Sequence, residues 1–219
     1  YLLWDYKYEN SFPNQISNFI ETKNGDFLLV GSQSYPSTST DLWLIKLDKN
    51  GNYLWQKSFG GKVLDSGVDI IESSDNNILV VGFTSSLDGD VSNNNGYIDV
   101  WVLKIDFDGN VIWKRTYGGT GEEVPFLIKK SKEGYWVQGK TSGSTDGNLN
   151  NSYNRKGSWN FHINEQGEIT KQIVLDFVSS VFMEEDNGYL SVFYNDIEKQ
   201  YSVVKFDLNG KYIWDKKLD

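Results

Sequence analysis

Two acidic residues follow Gly-Gly pairs at matching places in the chain: Asp65 in "GGKVLD" and Glu123 in "GGTGEE", with Glu122 beside the second. Glycoside hydrolysis needs two carboxyl groups a few ångströms apart, one protonated and one ionised, and neighbouring repeats can supply such a pair. Recurrence of the same acid is also what a structural cap produces. No asymmetric pair stands out, so the expectation leans away from an enzyme. Other chemistries are narrower still. The only histidine is His162 and there is no cysteine, which leaves no Ser-His or Cys-His triad and no zinc site built on histidines or thiolates. No glycine-rich phosphate loop opens a helix.

A second cluster lies in "LDGDVSNNNG" (87–96), where Asp88, Asp90, Asn93 and Asn95 supply side-chain oxygens in a glycine-containing turn. Hard cations such as Ca2+ accept that donor type, although the bidentate glutamate that closes an EF-hand loop is missing. An Asx-rich turn that holds only its own backbone is the heavier alternative. No organic cofactor is expected. For a glycan, the stacking candidates are Tyr35, Tyr97 and Tyr153, three tyrosines in corresponding loops. Trp136 aligns with Leu28, Leu79 and Leu190 and is expected to be buried.

These residues are spaced by a repeat. Residues 41–61, "DLWLIKLDKNGNYLWQKSFGG", return as 99–119, "DVWVLKIDFDGNVIWKRTYGG". The tryptophan after the "GN" turn occurs at Trp4, Trp55, Trp113 and Trp214, with Lys171 in the equivalent place. Intervals of about 43 to 58 residues are those of propeller blades, and each repeat reads as four short β-branched and aromatic runs. The expected fold is all-β: a β-propeller of four-stranded antiparallel blades, with four repeats (about 5–55, 56–113, 114–171 and 172–214) in one domain of residues 1–219. "YLLWDYKY" at the start is one extra last strand, which favours a segment of a larger propeller.

Matching positions assign roles. Trp43, Trp101 and Trp159 recur on the third strand, with Ser202 the exception, and are expected to pack between blades. Lys46, Lys104, His162 and Lys205 sit before a turn opened by Asp48, Asp106, Asn164 and Asp207 and bent at Gly51, Gly109, Gly167 and Gly210. Gly31, Gly82 and Gly139 end the second strand, where backbone of a neighbouring blade is expected to pass close; Phe193 replaces that glycine in the last repeat.

The composite D-x-W-V-x-K-x-D-x-x-G-N-x-x-W-x-K-x-x-G-G, together with "TSSLDGDVSNNNGYIDVW" (84–101), resembles the secreted or lipid-anchored propeller repeats common in Bacteroidota. A more distant similarity is to the tryptophan-docking blades of quinoprotein-type propellers. The resemblance implies an extracellular or bacterial cell-surface location, with any targeting segment outside this sequence, and a binding module for a protein partner or a glycan. The alternatives are a carbohydrate-active enzyme using paired carboxylates and a structural module of a larger surface assembly. A net charge of −9 without a basic stripe argues against nucleic acid, and no apolar run is long enough for direct membrane insertion by this segment.

Overall fold

Residues 14–36, 39–144, 146–149, 156–195 and 198–218 are described by the computed structural model. They form sixteen strands and one short 3-10 turn, Gly147–Leu149. The first sheet holds β1 (Asn14–Glu21), β2 (Phe27–Ser34), β3 (Thr40–Leu47) and β4 (Tyr53–Phe59). The second holds β5 (Asp65–Glu72), β6 (Ile78–Thr84), β7 (Asp99–Ile105) and β8 (Val111–Tyr117). The third holds β9 (Glu123–Lys130), β10 (Tyr135–Thr141), β11 (Gly157–Ile163) and β12 (Ile169–Leu175). The fourth holds β13 (Ser179–Glu185), β14 (Gly188–Asn195), β15 (Gln200–Phe206) and β16 (Tyr212–Leu218). Every sheet is an antiparallel meander in chain order. These sheets are the blades of a β-propeller. The proposed extra N-terminal strand lies outside the described residues.

The hairpin turns form as their composition predicts. Asp48 Oδ1 accepts the amides of Asn50 and Asn52 at 2.8 Å, and Gly51 takes φ +82°. Asp106, Asn164 and Asp207 repeat the arrangement. The side chain thereby replaces hydrogen-bond partners that a tight turn removes.

Packing between blades follows from the alternation of side chains along each strand. Leu28, Val30, Leu42 and Leu44 of the first blade share a core cluster with Ile70, Val80, Trp101 and Leu103 of the second. Leu79, Val81, Val100 and Val102 then pack with Tyr135, Val137, Trp159 and Phe161 of the third. Trp101 and Trp159 are buried between blades, as the repeat predicts. The third blade meets the fourth through Trp136, Ile173 and Leu175 against Phe182, Tyr189, Val204 and Phe206. Trp136 is buried as expected. Among the described residues, no comparable packing joins the fourth blade to the first.

The glycines of the second strand need a different explanation from the one the sequence suggests. Gly31, Gly82 and Gly139 each stand directly opposite the repeated tryptophan, paired with Trp43, Trp101 and Trp159. The backbone that crowds them belongs to their own blade. A β-bulge in the first strand turns a carbonyl inward, so that a Cβ on Gly31 would lie 1.8 Å from Gln15 O and one on Gly82 2.0 Å from Ser66 O. In the fourth blade the bulky residue changes strands: Phe193 stands opposite Ser202.

A lysine–tryptophan clamp joins the first three blades. Lys46 is paired across the sheet with Trp55, and Lys104 with Trp113. Lys46 Nζ and Trp55 Nε1 both donate to the carbonyl of Phe107 in the next blade, at 3.2 and 3.3 Å. Lys104 Nζ and Trp113 Nε1 likewise donate to Glu165 O, at 3.2 and 3.1 Å. Each lysine also meets an acid of its own blade, Asp26 at 3.3 Å and Asp75 at 2.7 Å. The third blade carries His162 and Lys171 at these positions instead. Both nitrogens of His162 are occupied, by Ser131 Oγ at 2.8 Å and Thr170 Oγ1 at 2.5 Å, and burial pushes its pKa down. Its ring packs in the scaffold, with Trp136 edge-on at 5.3 Å.

Candidate functional site

The predicted acids converge on one rim, where the link from each blade's last strand meets the loop before the next blade's third strand. Asp65 and Glu123 open β5 and β9 and are fully buried. Asp65 Oδ2 accepts the amide of Gly61 at 2.7 Å and the hydroxyl of Ser86 at 2.8 Å. Glu123 accepts the amide of Gly119 at 2.9 Å and the hydroxyls of Thr141 and Ser144 at 2.7 and 2.8 Å. Both therefore fasten the Gly-Gly link that precedes them. Glu122 stays on the surface, its amide bonded to Ser142 Oγ.

The "DGD" loop completes the same fastening. Asp88 Oδ1 accepts the Lys62 amide at 2.8 Å and Asp90 Oδ2 the Gly60 amide at 3.3 Å. Their remaining charge meets Lys62 and Lys114. The hydrogen bond from the Lys62 side chain holds the Asp88 carboxyl below its ordinary range. In the next repeat Asp146 accepts from Thr120 N, and Asn148 from Gly118 N. Asn93 and Asn95 do not join Asp88 and Asp90 in these bonds; the Asn95 amide donates to Asp99. Among the described residues, no group of three or more His, Asp or Glu side chains has the geometry to hold a metal ion.

Two acids that sequence reasoning passed over complete the rim. Asp41 and Asp99 stand two residues before the repeated tryptophan. A Cβ on Gly60 would fall 2.5 Å from Asp41 Oδ1 and 2.7 Å from Asp65 Oδ2; one on Gly118 would fall 2.3 Å from Asp99 Oδ1 and 2.7 Å from Glu123 Oε2. Each junction thus sets two carboxyl groups around one glycine. Asp41 Oδ1, Asp65 Oδ1 and Asp99 Oδ1 are buried without a hydrogen-bond partner. Burial, and then the charges of Asp65 and Asp90, push Asp41 up to about 6. Asp99 is also raised to about 6, by burial first and by Glu123 and Asp146, against the amide of Asn95 that favours its charge. At the third junction neither acid is present: Gly157 stands two residues before Trp159, Phe177 stands two before the bulge residue Ser179, and Ser158 Oγ and Ser179 Oγ lie 3.0 Å apart beside them.

Two close carboxyl groups, one of them raised, are also what a hydrolase uses. Here Asp65, Asp99 and Glu123 have no exposed surface, and only Asp41 is partly exposed, so neither pair is open to a substrate as a pair. The arrangement holds backbone. Replacing Glu123 by glutamine, which puts a donor where only acceptors are wanted, should cost about 1–3 kcal/mol of unfolding free energy in a denaturant titration. No loss, with Ser144 and Thr141 unmoved, would show that the fastening is unimportant.

Tyr97 is 78% exposed and tied only by its backbone amide to Gly121 O. The hydroxyl of Tyr35 is engaged with Gln33 and Ser58 at 2.8 and 3.0 Å. Tyr153 lies outside the described residues.

No family model and no curated protein matches the chain. Among solved structures it is similar to the Neurospora crassa Pan2 WD40 domain, at 9% identity and a TM-score of 0.46, covering 94% of this chain and 66% of that one. It is also similar to a neuraminidase-like protein of subtype N10 from A/little yellow-shouldered bat/Guatemala/060/2010, at 6% identity and a TM-score of 0.46, covering 88% and 65%. A GH43_12 protein retrieved from a capybara gut metagenome gives 12% identity and a TM-score of 0.44, covering 91% and 43%. The chain thus spans less than two thirds of the length of most of these structures. At such values the likeness says nothing of ligand or activity.

Proposed function

We propose that this chain is a non-catalytic interaction module, exported to a bacterial cell surface, whose fourth blade docks a further blade of the same repeat class. The export rests on the repeat resemblance alone. The docking rests on one observation, a clamp that is intact and unused. Lys205 and Trp214 are paired across β15 and β16 as Lys46–Trp55 and Lys104–Trp113 are in the first two blades. Lys205 keeps its partner acid, Glu185. Yet Trp214 is 39% exposed, and among the described residues neither group meets a carbonyl of another blade. Tyr201 and Leu218 are exposed on the same sheet. A hairpin turn of the D-x-x-G-N type supplies the missing carbonyl. A second copy of this chain fits poorly, because Trp43, Ile45 and Leu47 on the corresponding face of its first blade are already buried.

The test compares matched positions. Trp113→Ser should cost about 2–3 kcal/mol, whereas Trp214→Ser should cost less than about 1 kcal/mol in the isolated chain. With p-benzoylphenylalanine in place of Lys216, photo-crosslinking in the native host should yield adducts on a D-x-x-G-N turn. Equal destabilisation by the two serine variants, an adduct on an unrelated fold, or no adduct would each overturn the proposal.

A further inference from the structure

The clamp and the rim locks recur, so the places where one junction departs from another are the informative ones. Between the second and third blades an open cleft of about 600 Å3 is lined by Trp113, Arg115, Asn93, Asn148 and Glu168. That volume suits one or two sugar units. At the preceding junction the corresponding lysine, Lys57, crosses to Asn110 Oδ1 at 3.3 Å. Here the lysine has become Arg115 and the asparagine Glu168. They do not pair: the Glu168 carboxylate accepts from Asn164 Nδ2 at 2.9 Å, and Arg115 has no ion-pair partner among the described residues. Residue 114 departs as well. Gln56 and Gln172 cap Trp43 and Trp159 in their blades, but Lys114 turns to Asp90, adding a second cation to the same strand.

We infer that this cleft binds a sugar carboxylate, a hexuronic acid in a glycan chain. An unpaired guanidinium offers parallel N–H donors that match a carboxylate, and it stands out in a protein of net charge −9. Asn93 offers a side-chain amide with no partner among the described residues. The Asn148 Oδ1 is held by the Gly118 amide, which leaves its amino group to donate to a hydroxyl. Glu168 accepts from sugar hydroxyls, and the indole edge of Trp113 forms one wall. The site is built from the second and third blades and is independent of the fourth blade's docking face.

Digalacturonic acid is the probe, with neutral cellobiose beside it, read by calorimetry and by the Trp113 indole N–H resonance in the intact protein. Digalacturonate should bind and shift that resonance, and cellobiose should bind at least about tenfold more weakly. Arg115→Gln should weaken digalacturonate at least about tenfold. Lys57→Gln, at the preceding junction, should leave binding unchanged. Arg115 is exposed, so its variant should keep the parent's melting temperature, which separates lost binding from lost folding. No binding of digalacturonate at 10 mM, equal binding of cellobiose, or an indifferent Arg115→Gln variant would overturn the assignment. Failure here would leave the docking of a further blade untouched.

Discussion

At pH 8 the Asp99→Asn variant should melt about 6–12 °C above the parent protein, and at pH 4 the gain should vanish. Asp99 is fully buried, and its pKa stands at about 6 against 3.8 when free. Between those values the folded chain holds a proton that the unfolded chain has released. Stability from this group is therefore present at low pH, falls as pH rises from about 4 to about 6, and stays lost above that. The interval corresponds to about 3 kcal/mol, and for a chain of this size each kcal/mol moves the melting point by about 2–4 °C. Asparagine keeps an acceptor for the Asn95 amide and turns an amide donor toward Glu123 instead of a second charge. Thermal melts of both proteins from pH 4 to 8, with chelator present, measure the difference directly. Asp41, also raised to about 6, loses stability over the same interval but equally in both proteins, so it cancels in the difference. Asp75, held to about 2 by hydrogen bonds from Lys104, Ser73 and Asn77 against the opposing effect of burial, contributes in the opposite sense at lower pH and equally in both proteins. A variant less stable than the parent at pH 8 would mean that groups of the folded chain itself compensate the Asp99 charge, and would overturn this account.

Gly82→Ala should be the most damaging single methyl addition in the second blade, costing about 3 kcal/mol or more. The added carbon would sit 2.0 Å from Ser66 O and 3.1 Å from the Cα of Gly67, both backbone atoms of the bulged first strand, with Trp101 fixed on the other side. Nothing there can rotate away. Gly25→Ala provides the scale. Its φ is +82°, but the nearest atom is Lys49 Cβ at 3.4 Å, so the cost is conformational and about 1 kcal/mol. Denaturant titrations should rank the two variants in that order. If Gly82→Ala folds with a midpoint like that of Gly25→Ala, the close approach of the bulge is wrong.

The fold was largely legible because repetition multiplies a weak local signal. One "DxxGN" segment between apolar runs suggests a hairpin; the same segment at Asp48, Asp106, Asn164 and Asp207 fixes a register. The glycines were legible as crowded positions, but not what crowds them, since a bulge in β5 leaves no mark on the residues of β6. The rim acids show a different limit. Asp65 and Glu123 were found because each follows Gly-Gly. Asp41 and Asp99 recur just as regularly, yet a lone aspartate at a strand start reads as turn chemistry. Only the folded chain brings each beside its partner acid. The open cleft was invisible for the opposite reason: Arg115 looks like a conservative replacement of Lys57, and its significance depends on a pairing that fails to form.

The joint between the third and fourth blades lacks both the lysine–tryptophan clamp and the paired acids. It relies on Trp136, Ile173 and Leu175 against Phe182, Tyr189, Val204 and Phe206, and on hydrogen bonds from Trp136 Nε1 to Glu184 at 3.1 Å and from Gln138 Nε2 to the Phe182 carbonyl at 2.6 Å. A contact between two serines adds to these, as does a Lys132–Asp186 ion pair that is more than 80% exposed on both sides. Exposed pairs of that kind contribute little. Amide hydrogen exchange should therefore divide the chain unequally, with residues 179–218 opening together as one cooperative unit while the first three blades stay protected. A blade that detaches first is also the blade that carries the unused clamp. Seating a partner there would raise the protection of amides that the partner never touches, so occupancy of an outer face would be written into the exchange rates of the joint behind it.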